Sequence, residues 1–358
     1  MRALAYPFTT ALAVLLGATQ VPADPVAEFY TGKQIRIYIR AAAGGNYDIY
    51  SRVLGRHITR HIPGNPSVLP INMPGGGGIV ALNYVANVAP RDGTTLTMIT
   101  QSFPMDQALG LQRNLQVDLR TLGWIGNMSD SNMYFFTAKE SPTRTLADAR
   151  VRETVVAATG LGSIMTQLAA VYNNTLGTRF KVIYGYPSGP AMSLAMERGE
   201  VEGRSTSNPQ ALASPGTSAA EIMARYNFLI QTGVRKFPGY ESIPLLLELA
   251  STDDQRRIYD FVSKAVAISR PIVTTAGVPP ERLAALRRAF DATLADPAFL
   301  KDAAQQGLEI GAMSGAALET IVADMLGAPP AVIDRVRQAV QIKAAEAAKG
   351  VRGGAKPE

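Results

Sequence analysis

The chain has 358 residues, no cysteine and a formal net charge of +6, so it holds neither a disulfide nor a thiolate nucleophile. That length is too great for one ordinary core and sets two domains as the expectation. A basic surface suits anionic solutes or an acidic partner, but no stripe of aromatics interleaved with Lys and Arg is present, which sets nucleic acid aside.

The first elements concern the address. Arg2, the apolar run Ala11–Leu16 and the small residues Val21-Pro-Ala23 read as a secretory signal over residues 1–23, cut between Ala23 and Asp24. The segment is too short and interrupted for a membrane helix, and no Cys follows it to carry a lipid. No later stretch reaches the roughly 18 continuous apolar residues of a span. The expectation is an exported, soluble mature chain with a charge of +5, since Arg2 is the only charge removed.

Beyond the signal, short apolar strands alternate with helix-like stretches. Strands are expected at Ile35–Ile39, Ser67–Ile71, Thr95–Ile99, Trp124–Asn127, Tyr134–Thr137, Thr154–Ala158, Phe180–Tyr184, Phe228–Gln231 and Ala265–Ser269. Helical spacing follows most of them, and from Pro279 the chain turns mostly helical. This alternation predicts an α/β fold with largely parallel sheets. Proline and glycine punctuation near Pro142 and Pro271 brackets a middle block. The expected organisation is lobe 1 over 24–132 and 270–348, lobe 2 over 133–269, and a flexible tail over 349–358.

Glycine pairs mark where strands turn into helices. Gly44 and Gly45 end the first strand, after which Tyr47, Tyr50, Leu54 and Ile58 recur at helical spacing. A bare helix N-terminus there attracts carboxylate or phosphate. Asn46 and Tyr47 carry uncharged donors for such a ligand, whereas Asp48 reads as a helix cap that fixes the loop. Gly160, Gly162 and Ser163 occupy the same topological point after the strand ending near Ala158. There Ser163 either touches ligand or merely caps its helix. The run Gly75–Gly78, with Gly76 and Gly77 at its centre, lacks the Lys-Ser/Thr of a phosphate loop. It is either a second anion-facing loop or a plain turn. Gln101 and Ser102 end one strand, and Ser205, Thr206 and Asn208 end another, placing hydroxyls and amides toward the same crevice. Arg40 and Arg204 sit at strand ends, where each either pairs with a ligand carboxylate or joins a salt bridge. His57 and His61 lie one turn apart, but without His-Glu-x-x-His or a third ligand they read as a solvated face shared with Arg52, Arg56 and Arg60. No metal site or cofactor is expected, and no catalytic machinery is visible.

Several marks occur in order behind the signal: Gly44-Gly-Asn-Tyr-Asp48, Asn72-Met-Pro-Gly-Gly-Gly-Gly78, Ala89-Pro-Arg-Asp-Gly93 and Gly160-Leu-Gly-Ser163. They continue with Gly185-Tyr-Pro-Ser-Gly-Pro-Ala191, Arg198-Gly-Glu-Val-Glu202 and Gly277-Val-Pro-Pro-Glu-Arg-Leu283 leading to Asp296-Pro-Ala-Phe299. With these marks the chain resembles the tripartite tricarboxylate transporter solute receptors, the Bug-type extracytoplasmic family. The resemblance implies a two-lobed, type II-like periplasmic binding protein with mixed, mostly parallel sheets and two inter-lobe crossovers. It also implies a periplasmic monomer, not an enzyme, that closes on a small carboxylate and passes it to a permease of one large and one small membrane subunit.

The family's ligand loops fall on residues 43–48, 74–78, 100–103, 159–163, 185–190 and 205–209, which adds Thr159, Tyr186 and Ser188 to the candidate contacts. Many relatives carry an aspartate in the last loop for a ligand amino group. Ser207 and Asn208 stand there instead, which favours a plain mono- or dicarboxylate, aliphatic or aromatic. The alternatives are a periplasmic ligand sensor for a membrane kinase and a secreted hydrolase using Ser163. Closure is expected at hinges near 128–137 and 264–272.

Overall fold

The structure, a computed structural model, describes residues 24–214 and 216–349. The expected signal over 1–23, and the tail beyond Lys349, lie outside the described residues. In chain order the first segment holds α1 (Pro25–Tyr30), β1 (Gln34–Ile39), α2 (Asn46–Ile58), β2 (Ser67–Asn72), α3 (Ile79–Asn87), β3 (Thr95–Met98), α4 (Phe103–Leu109) and β4 (Gly123–Asn127). The middle segment holds β5 (Met133–Ala138), α5 (Leu146–Val151), β6 (Thr154–Ala158), α6 (Ile164–Leu176), β7 (Phe180–Tyr184), α7 (Gly189–Glu197), β8 (Gly203–Thr206), α8 (Ala219–Arg225), β9 (Tyr226–Thr232) and α9 (Asp253–Ala267). The last holds β10 (Pro271–Thr274), α10 (Pro280–Ala295), α11 (Pro297–Gln305), β11 (Met313–Ser314), α12 (Gly315–Leu326), α13 (Pro330–Ala339) and β12 (Ala347–Lys349).

Two six-stranded sheets form, with orders β11-β4-β10-β3-β1-β2 and β12-β7-β6-β8-β5-β9. Each is parallel where strands feed helices through glycine loops, as in β2-β1-β3 and β7-β6-β8. Each is antiparallel where the chain changes sheet, at β4, β10, β5 and β9. Parallel pairing therefore governs only the half of each sheet that carries the candidate loops. The chain crosses between β4 and β5 and returns between α9 and β10. Its end makes a further passage not anticipated from sequence: β12 pairs with β7, so residues 347–348 sit on the second sheet although they were expected in lobe 1.

Ala265–Ser269, expected as a strand, instead closes α9 and leads into the loop after it. Phe261, Val262, Ala265 and Val266 are all buried and repeat at helical spacing, so the apolar run continues one helix face. The strand starts only at Pro271, where a missing N–H costs nothing. One core packs β1, β3 and β10 against α2, α10 and α11 through Ile37, Leu54, Leu96, Leu286 and Phe299. A larger one joins Trp124 of the first sheet to Phe135, Tyr172 and Phe180 of the second by way of α4, α9, α12 and α13. Trp124 is fully buried and its indole N–H donates to the Leu119 carbonyl at 3.0 Å. No single helix among the described residues is long and apolar enough to cross a membrane.

Candidate functional site

Loops at the C-terminal ends of the parallel strands build the site. On the first sheet, Gly45 is the N-cap of α2 and offers no side-chain bond to its open N–H groups. This corrects the cap role read for Asp48, which lies inside the first turn. The Asp48 carboxylate accepts from the Gly44 N–H at 2.9 Å, Arg52 Nε at 2.8 Å and Asn72 Nδ2 at 2.8 Å. Burial alone would raise its pKa, but the bonds from Gly44, Asn72 and Arg52 outweigh it and hold the pKa below the usual range. Asp48 is thus a clamp that shapes the 41–48 loop, while Gly44 and Asn46 stay exposed.

The glycine run is tied to the same surface. Arg40 donates to the Gly77 carbonyl from Nη2 at 3.0 Å and from Nε at 3.2 Å, and Thr100 Oγ1 donates to it at 2.7 Å. Gly78 has φ 109°, and a Cβ there would lie 2.6 Å from Arg40 Nε, so only glycine admits the arginine. Gly76 and Gly77 remain exposed. The Arg40 guanidinium lies 4.0 Å from the Tyr47 ring centre, and Arg270, at the start of β10, lies 5.0 Å from the same ring and 5.0 Å from that of Tyr50. Arg40 is therefore in no salt bridge among the described residues, contrary to the plainer of its two readings.

Gln101 and Ser102 are buried, not displayed on the surface. The Ser102 hydroxyl donates to Asp106 in α4 at 2.9 Å, and Gln167 of α6 donates to the same carboxylate at 3.1 Å. That pair joins the two sheets' helices. Loop 159–163 lies close by, since a Cβ on Gly162 would stand 3.8 Å from Gln112 Nε2.

On the second sheet, Ser163 Oγ accepts from the Thr166 N–H at 3.4 Å and Ser188 Oγ from the Ala191 N–H at 3.4 Å, so both hydroxyls cap helices, α6 and α7. Thr159 and Gly162 are exposed, and Tyr186 is half-buried. Thr206 Oγ1 donates to the Asn208 carbonyl at 3.0 Å. Asn208 caps the turn after it and also donates to the Gly307 carbonyl at 3.3 Å, which links the sheets. Its amide is engaged within the fold.

Arg204 is 4 % exposed. It donates to the Ser205 carbonyl at 3.3 Å, leaves Nε without a partner, and lies 5.5 Å from the Phe136 ring. It reaches the first turn of α7, since a Cβ on Gly189 would stand 3.6 Å from Nη1. No carboxylate pairs with it among the described residues, again contrary to the salt-bridge reading. Burial pulls its pKa down to about 10, which leaves it charged at neutral pH. The buried Ser205 hydroxyl is likewise unpartnered.

Sequence reasoning missed Arg270, Asp106 and Glu309. Arg270 is 7 % exposed, with an unpartnered Nε and a bond from Nη1 to the Ser269 carbonyl at 2.7 Å. Only Glu309, between Leu308 and Ile310, carries a local signal, a lone charge flanked by apolar residues; Arg270 follows Ser269 and Asp106 precedes Gln107. His57 and His61 are not a solvated face: they bond Asp302 at 2.8 Å and Asp296 at 3.0 Å, beside Arg56 and Arg60.

Two sheets linked by crossing strands, with glycine loops at their parallel ends, define the class as a two-lobed periplasmic binding protein fold. A TctC solute-binding protein from Polaromonas shares it with a TM-score of 0.65 at 18% identity, over 86% of this chain and 99% of that one. An R. palustris protein solved with adipate gives 0.61 at 18% identity over 85% and 97%. MatC from Rhodopseudomonas palustris, with bound malate, gives 0.60 at 16% over 86% and 99%. No protein-family model matches the chain. A UPF0065 protein of Bordetella bronchiseptica is 25% identical over 304 residues, 81% of this chain and 82% of the relative. BugT of Bordetella pertussis is 25% identical over 188 residues, 51% of this chain and 57% of BugT. These relatives bear out the resemblance to Bug-type solute receptors.

Proposed function

We propose that the chain is a periplasmic receptor, not an enzyme, which captures a small mono- or dicarboxylate between its lobes and delivers it to a membrane permease of one large and one small subunit. The observation that carries this reading is Arg204. An unpaired buried guanidinium under a helix N-terminus sets two positive features side by side, an arrangement that an anion relieves. Arg40 and Arg270 around Tyr47 supply the matching positive surface on the other lobe. The adipate and malate held by two proteins of like fold support the ligand class. The hydrolase alternative is disfavoured because Ser163 caps its helix and both histidines are bound to aspartates elsewhere.

A thermal-shift screen of the mature chain tests the reading. Mono- and dicarboxylates should raise the melting temperature, with about 2.7 kcal/mol of added stability at 100 times the Kd. Sugars and inorganic cations should not. Shifts from neutral solutes alone would overturn it.

A further inference from the structure

A hollow of about 220 Å³ lies where the start of β5 and the 207–210 turn meet the segment before β11. Tyr134, Phe237, Tyr240, Ser207, Gln210 and Glu309 contribute to its walls. The Tyr134 and Tyr240 rings stand 5.0 Å apart with planes tilted by 51°. Gln210 Nε2 donates to the Tyr240 hydroxyl at 3.5 Å. Glu309 is anchored by its backbone, whose carbonyl accepts from the Tyr50 hydroxyl at 2.9 Å. Its carboxylate makes no hydrogen bond and no ion pair among the described residues. Burial raises its pKa to about 7, with the charge of Arg270 drawing it back.

A carboxylate without a partner, at a wall shared with aromatic rings, selects for a particular kind of cation. Calcium and magnesium need several oxygen ligands around them, and one carboxylate does not supply that shell. Aromatic faces instead favour a weakly hydrated organic cation, whose charge the ring quadrupoles attract and whose methyl or methylene groups they pack. The rim already shows this affinity: the Arg235 guanidinium lies 4.7 Å from the Phe237 ring and pairs with Asp130 at 2.9 Å.

We propose that this hollow binds a small organic ammonium group, with Glu309 as counter-ion and the Tyr134 and Tyr240 rings against its carbon atoms. Glu309 comes from the first-sheet side, while Tyr134 and Ser207 come from the second, so an occupant would bridge the lobes. The ammonium is either a free solute or the amino end of a carboxylate held in the cleft.

Isothermal titration of the mature chain distinguishes these sources. Tetramethylammonium and choline should bind at a single site, with sodium chloride of equal ionic strength giving no signal. Glu309→Gln, and separately Tyr240→Leu, should weaken that binding by at least about tenfold. If the ammonium is the amino end of a longer ligand, δ-aminovalerate should bind at least about tenfold more tightly than valerate, and Glu309→Gln should erase the preference. The inference is overturned if no ammonium compound binds the wild-type chain, or if Glu309→Gln binds them with unchanged affinity. Because tetramethylammonium carries no carboxylate, its failure to bind would leave the receptor reading intact.

Discussion

Replacing Asp106 by asparagine should destabilise the protein at acid pH and stabilise it at alkaline pH. Asp106 is 1 % exposed and accepts hydrogen bonds from Ser102 and Gln167. Burial outweighs the bonds from Ser102, Gln167 and Gln112 and raises its pKa from 3.8 to about 6. At about 1.36 kcal/mol per unit, the native state carries a penalty of up to about 3 kcal/mol once the group ionises. Between pH 3.8 and about 6 the native state holds a proton that the unfolded chain has lost. Wild-type stability should therefore fall as pH rises through that window, and be fully recovered below it. The asparagine side chain cannot ionise, but its amide NH₂ faces donors in place of one acceptor, a loss of about 1 kcal/mol. Asp106→Asn should accordingly be about 1 kcal/mol less stable than wild type under acid conditions and about 1–2 kcal/mol more stable at mildly alkaline pH. Urea unfolding of both proteins across this range measures the difference. Subtracting one curve from the other removes Glu309, which titrates in the same direction. Parallel pH profiles for the two proteins would refute the reasoning.

Asp48→Asn should cost about 2–3 kcal/mol in urea unfolding, because the carboxylate orders Gly44, Arg52 and Asn72 together. The same change should weaken carboxylate binding measured by calorimetry; unaltered affinity would remove the 41–48 loop from the site. Arg204→Met should leave the unliganded protein as stable as before or about 1 kcal/mol more so, since an unpaired buried charge is replaced by a side chain of similar length. Carboxylate affinity should drop by at least about tenfold, and a variant that binds as tightly as wild type would show that Arg204 faces no ligand.

The features written in local pattern were legible. Alternating isoleucines before Gly44 and the Gly-Leu-Gly-Ser163 run each mark a strand that breaks into a helix, and both transitions occur where expected. Local pattern failed where a distant partner decides. Ala265–Ser269 carries as much strand as helix character, and burial of its face beside Phe261 and Val262 settles it as helix. The basic stripe on α2 looks solvated until α11 brings Asp296 and Asp302 against it from more than 230 residues away. The sequence around Asn208 shows an amide free for a ligand, yet the carbonyl of Gly307, 99 residues on, takes it. The same long reach brings Glu309 to the hollow that Ser207 also lines, where, on the proposal above, it would stand in for the aspartate which that loop lacks.

The two sides of the proposed cleft are built differently, and on the receptor reading this bears on how a ligand would be selected. On the first side one carbonyl, that of Gly77, collects bonds from both Arg40 and Thr100, while Asp48 collects Gly44, Arg52 and Asn72. Loops from the ends of β1, β2 and β3 are thereby fixed to one another before any ligand arrives, which lowers the ordering cost of binding. On the second side the helix starts are capped by their own serines, and the charge lies beneath the surface at Arg204. A buried charge attracts any anion that approaches the α7 terminus, with little regard to its shape. The half-buried Arg40 guanidinium, stacked on Tyr47 and held through Nε and Nη2 by the Gly77 carbonyl, has a fixed orientation, so its remaining N–H groups would discriminate among carboxylates by geometry. Selectivity for chain length should therefore follow substitutions around Tyr47, whereas Arg204 should set affinity for carboxylates as a class.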